Sequence, residues 1–138
     1  MEEFSLLAFE ESKKTLAKSR VCLARFGLAL TEGEETALMA GHTEALRDTG
    51  RVELGDGILP QLIEAFCNSP YLGGENLAEE LLTLQELFYH WKNEAGELTP
   101  DEELLSFMRQ IYDEKAHGAA EYLAGFSLRE LKGEMEHE

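Results

Sequence analysis

Cysteine is scarce. The chain holds two, Cys22 and Cys67, with neither a CxxC pair nor the cysteine–histidine spacing of a zinc site. That shortage excludes a thiolate metal cluster and the disulfide framework of small secreted domains. Both cysteines sit within apolar helical patterns, so the expectation is two reduced thiols that pack as small hydrophobes in a cytoplasmic protein. Proline occurs three times, too rarely for a collagen-like or proline-rich chain. No apolar run approaches the roughly 18 residues of a membrane span. Met1-Glu2-Glu3 lacks the basic start and apolar stretch of a secretory signal. No membrane partner is expected.

Basic residues are short as well. Lys and Arg number 12 against 28 Asp and Glu, a formal net charge of −16. Residues 1–27 hold four acids and five bases, net +1, whereas residues 28–138 hold 24 acids and seven bases, net −17. Such a field repels phosphate backbones, so no nucleic-acid partner is expected. The same field attracts basic proteins, or imitates nucleic acid towards a protein that binds it. Its simplest role is to keep copies of the chain apart in solution.

What is present fits a folded body. The chain has 138 residues, 43% of them hydrophobic, enough for one core without metal or disulfide. One domain over residues 1–138 is expected. Periodicity predicts helix nearly everywhere. Phe4 to Arg25 carries Phe9, Leu16 and Leu23 on one side, with Ala17 and Ala24 beside them, and Gly27 ends it. Thr31 and Glu34 form a capping-box pattern that opens a helix to about Arg47, with Gly50 just beyond. Residues 49–57 hold three glycines around Val52 and Leu54, so an extended segment or turn interrupts the helices there.

Ile58 to Cys67 is apolar on nearly every side, with Pro60 in its first turn, and belongs in the centre of the fold. Asn68-Ser69-Pro70 breaks the chain. From Glu75 to Asn93, Leu77, Leu81, Leu84, Phe88 and Trp91 repeat at spacings of four and three, the seam of a packed helix. Thr99 to Glu102 makes a second capping box, ahead of Leu104, Met108, Ile111 and Tyr112 on a buried side. A short helix from Ala119 to Leu123 follows Gly118. Ser127 and Glu130 form a third capping box before a short, frayed C-terminal helix over residues 127–138, with Leu128, Leu131 and Met135. The expected fold is all-α, a compact single-domain bundle of six to seven helices with one irregular glycine-rich segment near residues 49–57.

Helical bundles build metal sites from Glu-x-x-His pairs that point inward. This chain has Glu114 before His117 and Glu134 before His137, and it has Glu86 and Glu94 flanking His90. With 24 glutamates among 138 residues, two such pairs are unremarkable. Glu86, His90 and Glu94 also project opposite the Leu77–Trp91 seam, towards solvent. Neither a metal nor a cofactor is expected. His42 differs, since it falls on an apolar face with Leu38, Ala45 and Leu46, beside a glycine, Gly41, that permits close approach of another helix. It is expected to be buried, packed and hydrogen-bonded once. No Gly-x-Ser-x-Gly turn presents a nucleophile, and no lysine follows Gly55-Asp56-Gly57 as a phosphate loop requires. If the chain has a polar pocket, Arg51, Glu53 and Asp56 are its best candidates, because loops between rigid helices carry function. Arg51 and Glu53 have an equal reading as ties between this segment and neighbouring helices.

Thr49-Gly50-Arg51-Val52-Glu53, Gly57-Ile58-Leu59-Pro60, Ala65-Phe66-Cys67 and Leu84-Gln85-Glu86-Leu87-Phe88-Tyr89 together resemble a family of small bacterial proteins of the Firmicutes, a domain of unknown function. The resemblance implies a bacterial cytosolic source and carries over no catalytic or binding residue. Two function classes follow. The first is a non-enzymatic interaction or accessory domain, binding a protein partner or a second copy of itself as a homodimer. The second is a small-molecule or metal-binding protein, an enzyme among its forms, with a pocket near Arg51, Glu53 and Asp56 or near His42.

Overall fold

The computed structural model describes residues 17–51 and 57–129. They form an all-α bundle of six α-helices and one 3-10 turn, and no strand occurs among the described residues. Residues 17–24 are helical (α1). Then come α2 (Glu32–Thr49), α3 (Leu59–Phe66), the 3-10 turn Gly74–Asn76, α4 (Leu77–Ala95), α5 (Asp101–Glu114) and α6 (Ala120–Ala124). Helix α4 is the hub, packing against α2, α3, α5 and α6. Its seam residues Leu77, Leu81, Leu84, Phe88 and Trp91 are all buried. No described helix is long and apolar enough to cross a membrane.

Local chemistry sets the helix ends. Thr31 caps α2: its hydroxyl accepts from the Glu34 amide, and the Glu34 carboxylate accepts from the Thr31 amide at 2.9 Å. Gly50 closes α2 in the left-handed conformation at φ 68°, which lets the Arg51 amide reach back to the Leu46 carbonyl at 2.8 Å. The same closure ends α1, where the Leu28 amide donates to the Leu23 carbonyl across Gly27. Helix α3 starts with proline in its first turn and buries Leu59, Leu62, Ile63 and Phe66, as its oily pattern requires.

The structure differs from expectation at several ends. The Thr99 capping box does not form, because Pro100 stands at the cap position and the Thr99 hydroxyl turns back to the Ala95 carbonyl. The buried Lys92 ammonium binds the Thr99 carbonyl and pairs with Asp101 at 3.0 Å, which fixes the start of α5 one residue later. The long helix starts at Leu77, two residues later than expected, after the 3-10 turn. Ala17 and Ala24 are exposed rather than set beside Leu23 in the core. Glu130 lies outside the described residues, as do Leu131, Met135 and residues 4–16. At the expected third cap, the Leu128 and Arg129 amides donate to the Glu94 carboxylate of α4 at 2.9 and 3.1 Å.

Candidate functional site

The two described candidates, His42 and Arg51, both reach α4. His42 stands on the α2 face that meets it. Gly41 brings the two helices so close that a side chain there would overlap Leu82 of α4. The His42 Nε2 shares a 2.8 Å hydrogen bond with the Tyr89 hydroxyl, which also accepts the buried Ile58 amide at 3.3 Å. The imidazole packs directly on Gly57, whose φ is +69°. His42 is half-buried rather than fully buried. It packs and hydrogen-bonds, as its apolar face suggested.

Arg51 lies one turn along the same flank. Its guanidinium donates to Asn93 Oδ1 at 2.8 Å and pairs with Glu97 at 2.7 Å. Asn93 stands four residues after Tyr89 and uses its amide nitrogen to donate to the Thr49 carbonyl at 2.7 Å, so it binds the end of α2 and Arg51 together. The Arg51 hydrogen bond and charge hold the exposed Glu97 carboxyl below its usual range. These contacts fasten residues 51 and 57–58 to α4. They place no nucleophile against a base. Glu53 and Asp56 lie outside the described residues.

Further titratable groups meet away from this flank. Cys22 of α1 and Cys67 at the end of α3 are both free, and the Cys67 thiol donates to the Glu64 carbonyl at 3.6 Å. Burial first, then the neighbouring Cys22 thiol, pushes the Cys67 thiol up to about 12. Such a thiol is an inert packing group at neutral pH. Glu80 of α4 accepts the Ala120 amide at 3.3 Å, and partial burial, with Glu121 and Glu79 nearby, raises its carboxyl above the usual range. Among the described residues, no three His, Cys, Asp or Glu side chains come together to hold a metal.

Sequence reasoning missed three polar ties. Arg109 donates to Asp113 at 2.7 Å and to the Ala65 carbonyl at 2.8 Å, while Ser69 donates to Asp113. This joins α5 to the exit of α3. The Arg109–Asp113 spacing of four residues was the one available signal, and it gives no hint of Ala65 or Ser69. Arg20 pairs with the buried Glu35 at 2.7 Å. Glu94 holds the Leu128 and Arg129 amides, although it projects away from the seam. The chain belongs to the family of unknown function DUF6323, whose model matches residues 15–138. No curated protein and no solved structure matches it.

Proposed function

We propose that this DUF6323 protein is a non-enzymatic interaction or accessory domain of a bacterial cytosol, one domain over residues 1–138, whose acidic surface recognises a basic protein partner. The observation that carries this reading is the net charge of −17 over residues 28–138. Much of it lies on exposed helix positions, among them Glu44, Glu64, Glu102 and Glu114. Fields of this kind raise association rates and select partners of opposite sign. The alternative, a small-molecule or metal-binding protein, an enzyme among its forms, with a pocket near Arg51, Glu53 and Asp56 or near His42, has less support. Among the described residues, His42 and Arg51 are engaged by Tyr89, Asn93 and Glu97.

The test is capture of the tagged full chain from its host at low and moderate salt, beside a variant carrying Glu44→Lys, Glu64→Lys and Glu114→Lys. A stoichiometric partner that weakens with salt and is lost by the variant, with unchanged thermal stability, supports the reading. A partner held equally by both proteins at both salts overturns electrostatic recognition. No partner at either salt moves the weight to the ligand-binding alternative.

A further inference from the structure

We draw no further inference here: the strongest candidate, the groove between α1 and α3 whose charged side chains, Lys18, Arg25 and Glu64, are all exposed, carries no proposal because nothing in the structure shows what covers it.

Discussion

The His42 imidazole fills the space into which any side chain at Gly57 would project, and Gly57 itself holds a left-handed φ of +69°. Both facts demand glycine. Gly57→Ala should therefore cost roughly 2–4 kcal/mol: about 1–2 for the left-handed backbone and the rest for overlap with the ring. Removing the ring relieves only the second part. In urea unfolding, His42→Ala/Gly57→Ala should be less destabilised than the sum of the single variants by about 1 kcal/mol or more. Strict additivity would show that the two residues do not compete for this space.

Tyr89 links the same turn to α4 through its hydroxyl. Tyr89→Phe keeps the ring and its packing but removes the acceptor for the buried Ile58 amide and the hydroxyl that His42 meets. A buried amide that loses its acceptor costs about 1–3 kcal/mol. The variant should unfold at correspondingly lower urea with an unchanged denaturant slope. A loss below roughly 0.5 kcal/mol would mean that water replaces the hydroxyl and that the anchor carries little stability.

The helices were legible because burial repeats along the chain. Leu77, Leu81, Leu84, Phe88 and Trp91 lie at helical spacing and are buried together. Ile58, Leu59, Leu62, Ile63, Phe66 and Cys67 of the oily stretch sit in the core as expected. Helix ends were legible where the cap is local, as in the Thr31–Glu34 box. They were not legible where the cap comes from elsewhere. Glu94 is 34 residues from the Leu128 amide it accepts, and Lys92 holds the Thr99 carbonyl ahead of α5 from seven residues away. The candidate flank was half legible. His42 and Arg51 were chosen for an apolar face and a glycine-rich loop, whereas their partners Tyr89, Asn93 and Glu97 sit on or just past another helix at separations that one sequence does not encode. For the same reason the influence of Cys22 on Cys67, 45 positions apart, was invisible.

The burial of Cys67 leads to a reactivity test. Cys67 is 3% exposed, and its thiol is pushed up to about 12, so almost no thiolate exists near neutral pH. In the native protein at about pH 8, close to the value for an unperturbed thiol, Ellman's reagent should modify at most one thiol rapidly, Cys22. Both should react at once in denaturant. Cys22→Ser should leave a native protein with no fast-reacting thiol. Rapid native modification of Cys67 in that variant would contradict its burial.

Glu80 makes the pH dependence testable with a definite sign. Its carboxyl is raised above the ordinary value of 4.5, chiefly by burial and further by Glu121 and Glu79. The folded state therefore holds this proton more tightly than the unfolded chain does. As pH rises from about 4.5 through the raised folded value, the unfolded chain releases its proton first, and this group's contribution to stability falls. The loss is complete above the folded value. Glu80→Gln cannot ionise, yet its amide oxygen still accepts the Ala120 amide. The variant's advantage over the parent should thus grow across this window and stay constant above it, read as the difference in urea midpoint between the two proteins at each pH. A difference that does not change with pH would place Glu80 in an environment no less watery than the unfolded chain, and the burial argument would fail with it.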